Sequence, residues 1–312
     1  MEVCTFYRFV TLSDLAAIQA RLLALGDSLG LRGTILIATE GVNSTMSGDR
    51  DALERFLMGV REVPGLEDLT AKFSRAEEGN DVFHRLKVRI KTEIVTLGVP
   101  GVRPERHTGE HVDAARWNVL LADPDVVVID TRNRYECAIG TFPGALQPET
   151  DAFREFPQWV ESHLDPAKHR RVAMFCTGGI RCEKASAFML QAGFESVYQL
   201  DGGILRYLET VEPTGNQWQG ECFVFDQRVS VDETLSEGDY SQCFACRHPL
   251  SALDRQRPEF AEGISCPHCA GTFDAGQVAG FVERRRQVLL AEKRGHKHVG
   301  ERQTHGKSIR SD

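Results

Sequence analysis

Apolar and polar positions change period several times along the first 95 residues. TFYRFV (5–10) reads as a short strand. Leu15, Ile18, Leu22 and Leu25 then recur at helical spacing behind Ser13, a residue suited to capping a helix start. TILIAT (34–39) is a β-branched strand, and Glu40-Gly41-Val42-Asn43 is a turn leading to a strand near STMSG. Asp49 is placed to cap a second helix bearing Leu53, Phe56 and Leu57, and FHRLKVRIKTEIV (83–95) is the last strand. The order β-α-β-β-α-β predicts a ferredoxin-like α+β domain over 1–95, both helices on one face of the sheet.

In that last strand Leu86, Val88 and Ile90 alternate with Arg85, Lys87, Arg89 and Lys91. A period of two puts the apolar set against the helices and the four cations on the opposite face. Two readings stand: a solvated outer face, or a stripe that binds phosphates. Four like charges on one strand face repel, and an anionic partner relieves that cost.

The pattern shifts after residue 95. Residues 96–113, rich in Gly, Pro and charge, read as a linker. From 114 to 215 it becomes α/β, with buried strands DVVVID, RRVAMF and SVYQLDG and a helix, KASAFMLQAGF, before the third. Residues 216–280 are cysteine-rich, and 281–312 form a basic tail with nine Lys or Arg against four acids. Such a tail reads first as disordered and solubilising, nucleic-acid contact being the minority reading.

Composition narrows the setting. The 312 residues suffice for two domains or three small ones. No apolar run approaches the roughly 20 residues of a membrane span, and MEVCTFYRFV lacks the features of a signal peptide, so a cytoplasmic protein with no membrane partner is expected. In a reducing compartment nine cysteines point to metal binding or catalysis rather than disulfides. The net charge of −8 argues against a general nucleic-acid coat but leaves room for local basic surfaces. Nothing in the sequence sets the oligomeric state.

The candidate chemistry sits in MFCTGGIRCEKAS. RRVAMF ends at Cys176, the loop Thr177-Gly178-Gly179-Ile180-Arg181 follows, and a helix begins. Glycines let backbone N–H groups turn inward, the helix start adds partial positive charge, and Arg181 adds a cation. All favour an anion at the sulfur, whether thiolate or persulfide, so Cys176 is expected to be acidic and nucleophilic. Cys182 reads as a packed residue or as a resolving thiol. Asp130, Arg132 and Glu136 read as a charge network supporting the loop. Neither a flavin or nicotinamide fingerprint nor a two-His-one-carboxylate iron set is evident.

CTGGIR resembles the active-site loop of rhodanese domains, and VVVIDTRNRYE, GTFPGAL and VYQLDGGILRYLE resemble further elements of that fold. The cysteine-to-arginine spacing is the sulfurtransferase loop length. The N-terminal pattern, the linker, CTGGIRCEKAS and GECFVFDQRV together resemble the rhodanese-containing tRNA uridine 34 hydroxylases. That resemblance implies a tRNA-modifying oxidoreductase that hydroxylates the wobble uridine at carbon 5, with molecular oxygen as co-substrate and Cys176 as the catalytic cysteine. On it, the anticodon arm of tRNA would lie on Arg85, Lys87, Arg89, Lys91 and the tail. The loop taken alone implies a sulfurtransferase working through a Cys176 persulfide, and a non-enzymatic adaptor is the third reading.

Cys243-x2-Cys246 and Cys266-x2-Cys269 are two tight turns offering four thiolates, a spacing that suits structural zinc. His248 and His268 rank below the cysteines as ligands, since four sulfurs suffice.

Overall fold

The computed structural model describes residues 1–75 and 82–294. The chain forms two compact units, Met1–Ser241 and one beginning at Gln242.

The first unit opens with β1 (Glu2–Phe9), α1 (Leu15–Ser28), β2 (Arg32–Ala38), β3 (Gly41–Gly48), α2 (Arg50–Arg61), β4 (Lys72–Arg75) and β5 (Leu86–Ile90). They form a ferredoxin-like, acylphosphatase-like sheet ordered β4-β1-β3-β2-β5. Strand alternation turns Cys4, Phe6, Ile35, Ile37 and Met46 toward Leu22, Leu53, Phe56 and Val60 of the helices. The expected final strand shrinks to Leu86–Ile90 and is a fifth strand, parallel to β2. The fourth is KFSR at β4, too short and polar to show a periodicity. Ser13 is not the cap of α1. Asp14, in the left-handed region at φ 51°, holds that position and accepts from the Ala17 N–H at 3.4 Å. Asp49 stands at the start of α2 but makes no side-chain cap bond. Val88 is buried against α1, whereas Ile90 is 42% exposed and does not join the core as its alternation predicts.

Register carries one face across this sheet. Thr5 pairs with Lys72 and Thr45, Thr45 with Thr34, and Thr34 with Lys87; Tyr7 pairs with Asn43, Asn43 with Leu36, and Leu36 with Arg89. Directly paired residues point the same way, so Tyr7, Lys72, Lys87 and Arg89 share the face turned away from the helices.

A rhodanese α/β domain follows: β6 (Glu110–Val112), α3 (Ala114–Leu121), β7 (Val127–Asp130), α4 (Arg134–Cys137), β8 (Gly140–Thr141), α5 (Phe156–His163), β9 (Arg171–Phe175), α6 (Ile180–Gln191), β10 (Ser196–Leu200) and α7 (Gly203–Thr210). Its four-stranded sheet is parallel, ordered β6-β10-β9-β7. Phe156, Val160, Ala185 and Met189 from α5 and α6 pack on one side, and Trp117, Leu120, Ile204 and Tyr207 from α3 and α7 on the other. The expected linker is partly domain: β6 pairs with β10, and Leu97 and Val102 are buried with the α5–α6 core. A three-residue strand containing Glu110 and His111 carries no apolar signal.

The boundary expected at 216 moves to Ser241. β11 (Gln219–Gly220) pairs with β8, and β12 (Cys222–Phe223) pairs with β13 (Ser230–Val231). Trp218, Cys222, Val224 and Val231 are buried in the α3–α7 core, which is why this segment belongs to the first unit. Arg228 holds Asp226 with two bonds, of 3.0 and 2.6 Å, and reaches Ser74 Oγ at 3.3 Å and the Arg75 carbonyl at 3.2 Å. Phe142 lies among Phe175, Tyr207, Trp218 and Trp117, with ring centroids 4.9, 4.9, 5.1 and 5.6 Å away. Phe142→Ala is therefore expected to cost about 3–5 kcal/mol of unfolding free energy. Urea denaturation followed by tryptophan fluorescence checks this, and a loss under about 1 kcal/mol would show that the cluster collapses into the void.

β14 (Ser241–Gln242), which starts on the last residue of the first unit, pairs with β15 (Pro249–Leu250) of the second, which also contains α8 (Ala275–Lys293). Asp274 and Gln277 form a reciprocal cap at the start of α8, with bonds of 2.8 and 3.0 Å. The expected disordered tail is thus helical as far as Lys293. Arg284 donates to the Phe244 carbonyl at 3.3 Å, Arg285 pairs with Glu262, and Arg286 with Glu283 at 2.8 Å. Lys297, Arg302, Lys307 and Arg310 lie outside the described residues. Among those described, no helix is long and apolar enough to cross a membrane.

Candidate active site

β9, a central strand, delivers Cys176 at its carboxyl end, and α6 starts four residues later at Ile180. Gly179 makes the turn. It sits at φ 101°, caps α6, and its N–H donates to Cys176 Sγ at 3.1 Å. Gly178 has no positive φ and open space around it, so of the two glycines only Gly179 is demanded by the backbone. A second constraint comes from α7. A Cβ on Gly203 would lie 2.4 Å from the Cys176 carbonyl oxygen, and that carbonyl accepts from the Ile204 N–H at 3.0 Å. The start of α7 thus presses the loop into place.

Cys176 is 1% exposed. Burial pushes its thiol up, but the hydrogen bond from Cys182, the Arg181 charge and the backbone N–H groups of Cys182 and Arg181 outweigh it and bring the pKa down to about 5. Cys182, fully buried, is driven well above the ordinary thiol range by burial and by its neighbour's charge. The two shifts run in opposite directions, and the Gly179 N–H also points at Cys176, so the anion is favoured there over Cys182. Cys182 Sγ also lies 3.7 Å from Thr131 Oγ1.

Arg181 is not the free cation of the loop. Both its terminal nitrogens donate to Glu136, each at 2.7 Å, inside the protein. The supporting network accordingly splits in two. Glu136 neutralises Arg181, while Arg132 grips Asp130 with bonds of 2.9 and 2.7 Å and donates to the Gly140 carbonyl at 2.5 Å. Thr177 Oγ1 lies 3.5 Å from Glu136 and 3.4 Å from the Phe223 carbonyl. Phe225, 60% exposed, sits edge-on to Phe223 and 5.8 Å from the Arg181 guanidinium.

The other wall of the site carries no sequence signature. A cavity of about 440 Å3 is lined by Tyr7, Lys72, His111, Gly178, Glu183 and Arg206, among others. Tyr7 Oη donates to Glu183 at 3.3 Å, and His111 Nε2 lies 2.9 Å from the same carboxylate oxygen. That hydrogen bond to Glu183 raises the His111 pKa, and burial followed by the Glu183 charge raises that of Tyr7. Lys72 Nζ donates to the Gly202 carbonyl at 2.9 Å. Tyr7, Lys72 and His111 come from strands in two domains, and no local motif announces them; Gly178, Glu183 and Arg206 lie within the rhodanese-like stretches.

Of the cation stripe, Lys87 and Arg89 lie on the helix-free face of β5, at the opposite edge from Lys72. Arg85 and Lys91 are exposed and flank the strand. In the second unit the Cys243, Cys246, Cys266 and Cys269 sulfurs all lie within 4.8 Å of one another, with contacts of 3.9, 3.7 and 3.6 Å. Bonds of about 2.3 Å at a tetrahedral centre separate sulfurs by about 3.8 Å, so this spacing fits a metal such as zinc. His248 and His268 stack on each other, centroids 3.7 Å apart.

Comparison with known proteins gives two family matches: residues 1–94 match the UPF0176 acylphosphatase like domain, and residues 114–210 the Rhodanese-like domain. Solved structures similar to parts of the chain include the Rhodanese-like domain of the Anabaena sp. Alr3790 protein, at 21% identity over 36% of this chain and 80% of that one, with a TM-score of 0.29. The acylphosphatase from Bacillus subtilis matches at 17% identity over 28% and 97%, with a TM-score of 0.23. A rhodanese-related protein from Thermoplasma volcanium matches at 20% identity over 33% and 95%, with a TM-score of 0.27. Within one chain, then, an acylphosphatase-like domain of the UPF0176 type precedes a rhodanese domain with a cysteine in its loop.

Proposed function

We propose that this protein is a tRNA-modifying enzyme that hydroxylates the wobble uridine at carbon 5, with Cys176 as its catalytic thiol and molecular oxygen as co-substrate. The observation that carries the reading is that the Cys176 loop borders, at Gly178, a cavity that the acylphosphatase-like domain helps to wall. Two domains that merely shared a chain would not need to close one pocket. A nucleotide in a single-stranded loop can enter such a pocket without breaking a duplex. Arg181 and Glu136 hold the loop, and Arg85, Lys87, Arg89 and Lys91 receive the phosphates of the anticodon arm, so binding weakens steeply with salt. The metal held by the four cysteines of the second unit is zinc, with a structural role.

The test is mass spectrometry of tRNA nucleosides from cells carrying wild-type or Cys176→Ala protein, grown with and without oxygen. The expected result is a 5-hydroxyuridine signal that needs both oxygen and Cys176. Undiminished signal with Cys176→Ala would overturn the proposal.

A second reading has its own support. The Gly179 N–H on the sulfur would equally steady a persulfide, as a sulfurtransferase requires. Thiosulfate:cyanide activity that depends on Cys176, together with unaltered tRNA in cells lacking the protein, would favour it.

A further inference from the structure

The Cys176 loop faces an electrostatic problem. Its own arginine donates both terminal nitrogens to Glu136, so it favours an anion at the sulfur by charge alone and offers no free terminal N–H to a group brought there. Another cation comes from the other domain. The Thr5–Lys72 register puts Lys72 on the helix-free face of the first sheet, beside Tyr7. Tyr7 meets the loop and Lys72 the start of α7: a Cβ on Gly179 would lie 2.8 Å from Tyr7 Oη, and one on Gly202 would lie 2.3 Å from Lys72 Nζ. Gly203 presses on the Cys176 carbonyl and Ile204 donates to it, so the turn that Lys72 holds at Gly202 is the one that seats the Cys176 backbone.

The Lys72 ammonium donates to one backbone carbonyl, and no carboxylate of the described residues lies within 4.0 Å of it. Arg206 and Arg228, which line the same cavity, are by contrast paired with Asp201 and Asp226. A half-buried ammonium with two donors left over is costly unless an anion completes it. Burial, helped by the Arg206 charge, holds its pKa below the ordinary lysine value, against the upward pull of the Asp201, Cys176 and Glu209 charges. Tyr7 and Phe9, centroids 6.3 Å apart, give the cavity an aromatic wall. About 440 Å3 falls within the usual range for small-molecule sites and is large enough for one nucleotide.

Resting on the proposed RNA substrate, we infer that the cavity between Tyr7 and the Cys176 loop is a nucleotide-binding site in which Lys72 receives the phosphate and Tyr7 and Phe9 flank the base. The acylphosphatase-like domain then supplies the binding cation that the rhodanese loop has given up. The same oxyanion chemistry would suit the sulfonate end of thiosulfate, so the experiment must separate the two.

Calorimetric titration of the full chain with uridine 5′-monophosphate, uridine and thiosulfate does so. The wild-type protein is expected to bind the monophosphate on the order of tenfold more tightly than uridine, the value of one charge-assisted hydrogen bond. Lys72→Met removes that preference and leaves uridine affinity within about twofold, which also shows that the pocket still folds; Lys72→Arg keeps most of it. An unchanged monophosphate-to-uridine ratio in Lys72→Met overturns the inference, as does absence of monophosphate binding by the wild type. Thiosulfate binding that exceeds monophosphate binding and vanishes in Lys72→Met overturns the nucleotide assignment. These outcomes are independent of the nucleoside experiment. Loss of 5-hydroxyuridine dependence on Cys176 defeats the proposed reaction, whereas an unchanged ratio defeats only the role of Lys72.

Discussion

The Cys176 thiolate is expected to persist down to about pH 5, and Arg181→Met to move its midpoint up toward the ordinary thiol range. The sign follows from the balance at the sulfur. Burial alone would raise the pKa. The Cys182 hydrogen bond, the Arg181 charge and the two backbone N–H groups all favour the anion, and together they prevail. As pH falls through the midpoint the anion is protonated, so thiolate absorbance should be flat through neutrality and drop only in acid. The difference in ultraviolet thiolate absorbance between wild type and Cys176→Ser reads this directly, and does not require a reagent to reach a sulfur that is 1% exposed. Arg181→Met also strands the buried Glu136 carboxylate, which should cost about 3–5 kcal/mol of stability. Replacing the whole ion pair in Arg181→Met/Glu136→Met removes the orphan charge and should recover much of that loss. The double variant is therefore the cleaner probe of the thiol, and its midpoint should still rise. A wild-type midpoint near that of a free cysteine would remove the physical basis for chemistry at this loop.

What could be read from the sequence was whatever one stretch of chain decides for itself. RRVAMF followed by CTGGIR contains its own strand, turn and helix start, so the geometry of the loop was legible, as were the two Cys-x2-Cys turns. The alternation of Leu86, Val88 and Ile90 marked the sheet's edge strand, though it overstated the burial of Ile90. β4 and β6 escaped because four and three residues, largely polar, carry no period. Their pairing is enforced by neighbours already in place, β1 for one and β10 for the other. The Arg181–Glu136 pair escaped because it joins residues 45 apart in sequence. The loop alone suggested that Arg181 was free, and only three-dimensional packing shows its charge spent. Tyr7, Lys72 and His111 escaped for the same reason: each is an ordinary strand residue until the register of one sheet and the turn of another domain meet.

Removing metal from the second unit is expected to unfold it while leaving Met1–Ser241 intact. The buried apolar cluster of this unit consists of Cys243, Leu250, Cys266 and Cys269, with Ala245, Cys246, Phe260 and Phe273 partly buried around it. Leu250 is thus the one buried residue of that cluster that is not a metal-ligand candidate, so sulfur atoms stand where a core should be. Their spacing is what a tetrahedral ion would impose, and structural zinc in small peptides contributes about 10–16 kcal/mol near neutral pH. Without the ion four thiols at that distance neither pack as tightly as apolar groups nor cross-link the two turns. α8 loses its support as well, since Arg284 is bonded to the Phe244 carbonyl between two of the cysteines. The first unit has its own cores and should keep its melting transition. The measurement is elemental analysis of the purified full chain, expected to give about one zinc per molecule, followed by limited proteolysis with and without a strong chelator. Cleavage should appear beyond residue 241 only after chelation, or in Cys266→Ser, and should be suppressed when zinc is restored to the wild type. Acid should act as the chelator does, because the ligands bind as thiolates and protons compete for them. Metal-free protein with the same proteolytic pattern in both conditions would show that the unit folds on cysteine packing alone.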